Sequence, residues 1–263
     1  MRRQPGFTLV ELVMVIVLLG IVATISVQFV SLSTRGALDV GNRQARALQA
    51  VVISEQITRE LREAFPLSVR ENGACIEWLP ILGATSYQSL PGGPDFDEVE
   101  VVPFGSRIEN ARLLVYGYGS AQDDLYDSNN PGPVSTEIPV IEADDETVTI
   151  PGADGHRFRE RSPQKRIYAV GNRISICQIG QWLYRFSGYT HLPDQPSFSE
   201  LNGKASRTRE VMSANLKENS LNLQVTPASL QRSAVVAFEF ELENRDDQET
   251  TKVSQEVQVR NVP

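Results

Sequence analysis

The sequence predicts an α+β protein, in which a long N-terminal helix precedes a head of antiparallel β-strands. Residues 7–30 form a run of 24 residues in which Glu11 is the only charged side chain. No proline occurs at 31–65, so the helix is expected to continue until Pro66. Beyond Pro66, turn residues separate short segments that are rich in β-branched and aromatic side chains, which is the pattern of strands.

The first apolar run has the length of a membrane span. At a rise of about 1.5 Å per residue its helix measures about 36 Å, enough to cross a hydrocarbon core of about 30 Å. Only six residues precede the run, and Arg2 and Arg3 are among them. Because basic residues beside a span stay on the cytoplasmic side, we expect the bulk of the chain to lie across the membrane.

Glu11 is unusual in such a span, since an acidic residue at its centre costs about 2.5–3.5 kcal/mol. One interpretation is that Glu11 lies at the membrane edge and reaches water. The alternative is that Glu11 pairs with a cation when helices pack together. Cleavage after Gly6 would create an ammonium group on Phe7, and a carboxylate paired with a neighbouring helix's amine costs less than two separate buried charges.

The segment Gly6-Phe7-Thr8-Leu9-Val10-Glu11, after a short basic leader and before an apolar helix, resembles the class III signal of type IV pilins and type II secretion pseudopilins. The resemblance implies that prepilin peptidase cleaves between Gly6 and Phe7 and then N-methylates Phe7. It also implies that Glu11 assists recruitment into a filament. The implied fold is a pilin-like lollipop, held as a single-pass protein in the inner membrane with a periplasmic head, and later part of a pilus filament or pseudopilus.

Four regions follow from these patterns. We expect a prepilin leader at 1–6, a transmembrane and filament-core helix at 7–30, a periplasmic continuation of the helix at 31–65, and a β-rich head at 66–263. Apolar residues recur at roughly helical spacing in the continuation and predict one buried stripe: Leu38, Ala45, Leu48, Val52, Ile57, Leu61 and Phe65.

In the head, β-branched and aromatic content predicts strands at 74–79, 99–102, 113–116, 173–178, 181–186, 221–225, 234–242 and 253–259. The clearest element is a hairpin of 173–178 and 181–186 around a turn at Ile179-Gly180. Its first strand alternates and is expected to be half-buried. Residues 121–133 and 187–206 are predicted to be surface loops. The acidic loop at 121–133 does not match a twelve-residue calcium loop, so no metal site is predicted there.

The chain has two cysteines, Cys75 and Cys177. In an oxidising compartment an even pair indicates one disulfide, and the alternative is two unconnected buried thiols. The bridge would close a loop of about 100 residues and contribute about 4–5 kcal/mol in the chain-entropy model. A metal or redox role is disfavoured, because there is no C-x-x-C motif and the two histidines, His156 and His191, are far apart.

Composition and motifs exclude other classes. The formal net charge of −8 argues against nucleic-acid binding, which needs clustered Lys and Arg. There is no G-x-S-x-G, no HExxH and no phosphate-binding glycine loop. We therefore predict no catalytic residue, no cofactor and no enzymatic activity.

A second resemblance concerns residues 58–70 and 75–81, which are similar to minor pilins of the MshO type from mannose-sensitive haemagglutinin (MSHA) pilus systems. More distantly they resemble J-type minor pseudopilins and PilW-type minor pilins. The implied partners are other minor pilins, the major pilin, the prepilin peptidase and the inner-membrane assembly platform. A J-type pseudopilin of a type II secretion system is the main alternative. A pilus-borne adhesin is less favoured, because Trp78, Trp182 and Tyr184 are expected in the core.

Overall fold

The computed structural model describes residues 6, 8–90, 97–127, 129–152, 155–189, 193–203, 208–243 and 249–259. Phe7, His191, most of the leader, and parts of the predicted loops at 121–133 and 187–206 therefore lie outside the described residues. The chain divides into two compact units, Met1–Gln49 and Ala50–Pro263.

A single helix, α1 (Leu9–Arg62), supplies the regular structure of the first unit and continues into the second. Its apolar side chains from Leu9 to Leu32 are exposed on every side of the helix. A helix that is apolar all round is typical of a membrane span or of the core of a large protein. The end of α1 at Arg62, shortly before Pro66, agrees with the prediction that proline limits it.

The second unit is rich in strands, as predicted. Its described residues also contain a short helix, α2 (Phe198–Gly203), and 3₁₀ helices at Pro66–Ser68 and Gln122–Leu125. The strands are β1 (Arg70–Asn72), β2 (Cys75–Trp78), β3 (Ile81–Ser89), β4 (Glu98–Val101), β5 (Ile108–Leu114), β6 (Val134–Ile141), β7 (Thr147–Thr149), β8 (Arg166–Val170), β9 (Ile174–Ile179), β10 (Trp182–Ser187), β11 (Thr208–Ser213), β12 (Asn222–Thr226), β13 (Ala234–Glu243) and β14 (Thr250–Val259).

These strands form three antiparallel sheets, which confirms the α+β class and the β-rich head. The five-stranded sheet has the order β1-β2-β9-β10-β11, and the three-stranded sheet has the order β12-β13-β14. Because β1 lies against β12, these two sheets are neighbours. The six-stranded sheet has the order β6-β5-β8-β3-β4-β7.

The main core lies between the last turns of α1 and the five- and three-stranded sheets. Along the helix its buried apolar members are Ala50, Ile53, Ile57 and Leu61. The predicted stripe is therefore partly wrong, because Leu48 and Val52 are 61% and 64% exposed. This part of α1 is apolar on two faces, and periodicity alone does not tell which face the sheets cover. The covered face also buries two polar side chains, Ser54 and Thr58.

The six-stranded sheet encloses a core of its own, which includes Val99, Leu113 and Ile167. All six of its strands lie between β2 and β9 in the chain. The two ends of this segment meet, since the Gly171 N–H donates a hydrogen bond of 2.9 Å to the Pro80 carbonyl.

The predicted hairpin is confirmed as β9 and β10, with its turn one residue later than predicted. Ile179 pairs with Trp182, so Gly180 and Gln181 form the turn. Gly180 has φ +52°, a conformation that glycine adopts without strain. The expected half-burial of β9 is wrong, because Ile174 to Gln178 are buried on both faces of the strand.

Two segments predicted as surface loops contribute to the interior instead. The described part of 121–133 buries Leu125 and Tyr126, and the described part of 187–206 buries Tyr189 and Leu201. Polar residues dominate the composition of both segments. Composition therefore predicts surface loops, although a few apolar side chains in each segment are buried.

Candidate processing and assembly site

Thr8 caps the helix that follows the predicted cleavage site. Its Oγ1 accepts a hydrogen bond of 3.3 Å from the Glu11 N–H, and its carbonyl accepts one of 3.2 Å from the Leu12 N–H. Both bonds are typical of an N-cap residue. The Thr8-x-x-Glu11 spacing is that of a capping box, a sequence signal for the start of a helix.

Glu11 is exposed in the first turn of α1. The positive end of the helix dipole favours a carboxylate there. Within the described part of the chain, no hydrogen bond or ion pair engages this carboxylate. Gly6 is exposed, and Phe7 lies outside the described residues. Pairing of Glu11 with a Phe7 amine therefore remains a prediction about a second molecule.

α1 is long and apolar enough to cross a membrane, judged by length and composition. The most apolar window of this helix is exposed throughout. An exposed apolar helix that begins just after Gly6 and contains Glu11 needs nonpolar surroundings, which its own chain does not provide.

A family model for the prokaryotic N-terminal methylation motif matches residues 1–27. The chain carries a prepilin-type signal. The signal supports a type IV pilin-like protein that is anchored in a membrane and has a structural role. It also implies processing by a prepilin peptidase and assembly with other pilins. Comparisons with curated proteins and with solved structures found no significant match.

In the head that follows the prepilin-type signal, Cys75 and Cys177 are joined in a disulfide, as the sequence predicts. The two residues lie directly opposite each other on β2 and β9. Phe186, Tyr189 and Leu201 cover the bridge. The disulfide thus fixes the ladder between β2 and the β9–β10 hairpin.

Glu77 is the centre of a buried polar cluster that sequence reasoning missed. Its side chain is fully buried. Its Oε2 accepts from Arg70 Nε at 2.7 Å, and its Oε1 accepts from Arg173 Nη1 at 3.2 Å. The Tyr189 hydroxyl also donates to Oε1, at 2.7 Å. The available signal was an acidic residue inside the apolar run Cys75-Ile76-Glu77-Trp78-Leu79.

Arg70 links this cluster to two other parts of the chain, the segment of Asp123 and Tyr126 and the residue Pro193. Its guanidinium lies 3.6 Å over the Tyr126 ring and 3.1 Å from Asp123 Oδ1, and it donates to the Pro193 carbonyl. The Tyr126 hydroxyl donates to the Ser68 carbonyl at 2.5 Å. Two guanidiniums around one carboxylate hold these segments together.

The described residues contain no cluster of His, Cys, Asp and Glu that could hold a metal ion. His156 is buried, with Nε2 3.3 Å from the Gly132 carbonyl oxygen, and it packs edge-on against Phe158. Of the aromatic residues considered for an adhesin, Trp78 is fully buried in the main core, whereas Trp182 is 40% exposed. The expectation of a core position was correct for Trp78 and wrong for Trp182.

Burial raises the pKa of Tyr189 and of Tyr126, and the nearby Glu77 charge raises both further. The unfolded chain therefore loses these protons first, at about pH 10, while the folded chain keeps them. We expect the free energy of unfolding to fall above pH 10 by up to about 1.4 kcal/mol per pH unit for each tyrosine. Urea titrations from pH 8 to 11 will measure the slope. The decrease with pH should be shallower in Tyr189→Phe. An unchanged decrease would contradict the raised pKa of Tyr189 as one of its causes.

Proposed function

We propose that this chain is a minor pilin that takes part in assembly of a type IV pilus of the MSHA type, with a structural and priming role. The observation that carries the proposal is the prepilin-type signal, followed at once by a capped, exposed apolar helix. The MshO-type assignment comes from the similarity of residues 58–70 and 75–81. The helix anchors the chain in the inner membrane, with the head in the periplasm, until the chain enters the filament.

The parts of the molecule divide this work. The apolar side chains of α1 leave lipid and pack against neighbouring helices. They remain in nonpolar surroundings throughout this step, because lipid tails and apolar helices are similarly nonpolar. The Glu11 carboxylate neutralises the Phe7 amine of a neighbouring subunit and sets the stagger between helices. The head, which the Cys75–Cys177 disulfide stabilises in the oxidising periplasm, provides lateral contacts to the major pilin and to other minor pilins.

A J-type minor pseudopilin of a type II secretion system would carry the same signal and helix. The subunits that co-purify with the chain distinguish the two proposals. Pilus subunits support the first, and components of a secretion system support the second.

Mass spectrometry of the mature protein tests the proposed maturation. We expect a chain that begins at Phe7 and is heavier by one methyl group on its amine. A protein from native cells that keeps its first six residues, or that begins beyond the apolar run, would exclude the proposed function.

Glu11→Ala is expected to leave cleavage and methylation intact but to reduce the amount of subunit in purified filaments by about tenfold or more, equivalent to about 1.4 kcal/mol for one lost charge pair. The measurement is an immunoblot of sheared filaments against the membrane fraction. Glu11→Asp is the matched control, since it keeps the charge and should retain most of the incorporation. Equal incorporation of the alanine variant and the wild type would refute the pairing of charges.

A further inference from the structure

The layer formed by the five- and three-stranded sheets ends in two open edges. Among the described residues, β11 pairs only with β10, and β14 pairs only with β13. Such an edge can accept another strand unless its side chains prevent this.

The β14 edge is protected by polar side chains. Its alternate residues Lys252, Ser254 and Glu256 are exposed, and Lys252 is paired with Glu239 at 2.6 Å. Lysine and other charges along an edge are a common device against strand pairing. We therefore do not regard β14 as a docking edge.

The β11 edge is different, because beside the exposed charges of Arg209 and Glu210 it carries an exposed apolar side chain next to an aromatic cluster. Val211 is 55% exposed and lies directly opposite Tyr184 on β10. Trp182 lies beside Tyr184, with ring centroids 6.1 Å apart and ring planes at 15°. Phe198 of α2 contacts the Tyr184 ring at a centroid distance of 5.9 Å. We call Val211, Tyr184, Trp182 and Phe198 the edge patch.

Arg209 adds a charge to the same face of β11, since it lies two residues from Val211. Its guanidinium lies 5.2 Å from the Tyr184 ring centroid, and Nη1 donates to Asn202 Oδ1 at 3.0 Å. A guanidinium has five N–H donors, and a carboxylate can use two of them at once. The neighbouring Glu210 is engaged elsewhere, by Arg185 at 3.1 Å.

We propose that β11 is a docking edge for an extended segment of another pilin-like subunit, one that carries an apolar side chain and a carboxylate two residues apart. This inference rests on the proposed function, because it supplies the head contact that assembly needs. Backbone hydrogen bonds to β11 provide affinity, while the edge patch and Arg209 select the side chains. Trp, Tyr and Arg are the residues most enriched at the energetic centres of protein interfaces.

Site-specific photocrosslinking in living cells tests the docking edge on the full chain. A benzophenone amino acid replaces Val211 in one variant and Lys252, on the β14 edge, in the control. We expect a polypeptide adduct at position 211 and none at 252. The crosslinked peptide, sequenced by mass spectrometry, should contain the apolar and acidic residues at alternate positions. In the 211 variant, Arg209→Glu should lower the adduct yield by about tenfold, because like charges then face each other.

Hydrogen exchange on the purified complex provides the second measurement. The amides of β11 that point away from β10 should exchange at least about tenfold more slowly in the complex than in the chain alone, since they become hydrogen-bonded to the docked strand. Unchanged exchange there, an adduct at 252 instead of 211, or a glycan or lipid adduct at 211 would overturn the proposal. A chain that is processed at Phe7 and present in filaments, yet gives no adduct at 211, would refute the docking edge alone. An unprocessed chain would refute the proposed function.

Discussion

Glu77→Ala is expected to lower the free energy of unfolding of the head by about 3–5 kcal/mol, the range for breaking a buried ion pair from one side. The substitution leaves the Arg70 and Arg173 guanidiniums close together without the carboxylate between them. It also removes the acceptor of the Tyr189 hydroxyl. Urea unfolding of the full chain in detergent, followed by tryptophan fluorescence to which the buried Trp78 and the partly exposed Trp182 both contribute, will measure the change.

Two controls separate charge from volume and from surface effects. Glu77→Gln keeps the volume and removes the charge. It should therefore lower the free energy of unfolding by most of the amount expected for Glu77→Ala. Glu142→Ala breaks an exposed pair with Arg107 and should change the free energy of unfolding by only about 0–1 kcal/mol. If Glu77→Ala behaved like Glu142→Ala, the cluster would not be a main source of stability.

Loss of the disulfide is expected to have an effect of similar size. The two cysteines are 102 residues apart in the chain, and a loop of that length corresponds to about 4–5 kcal/mol in the chain-entropy model. Cys75→Ser/Cys177→Ser should lower the urea midpoint accordingly, because its unfolded chain is no longer constrained. The same unfolding assay, run with and without dithiothreitol, provides the measurement.

Reduction of the wild type is the internal control for this pair. Dithiothreitol should shift the wild type towards the serine variant and leave the variant unchanged. Equal midpoints for the oxidised wild type and the variant would show that β2 and β9 hold their register without the bridge.

Those parts of the fold whose signal is local could be predicted from the sequence. The apolar run, the end of α1 before Pro66, the β9–β10 hairpin and the strand β13 all follow from neighbouring residues. The disulfide partner of Cys75 was predictable because the chain offers one other cysteine.

What was missed depends on contacts between distant residues. The helix face bearing Ile53 and Ile57 is buried because two sheets cover it, and nothing within α1 distinguishes that face from the one bearing Leu48 and Val52. Glu77 meets Arg173 across 96 residues of chain, so neither residue identifies the other in the sequence. The exposure of Trp182 likewise follows from its position near an open sheet edge.

The meeting of Pro80 with Gly171 makes the six-stranded sheet a nested insertion between two strands of another sheet. Because the two ends of the insertion lie side by side, its outer loops can change in length or sequence without shifting the pairing of β2 with β9. Natural variation among homologous chains should therefore concentrate in the six-stranded sheet and its loops. A short tag placed at one of the exposed turns of this sheet should leave α1 in place and the disulfide-bridged strands β2 and β9 in register.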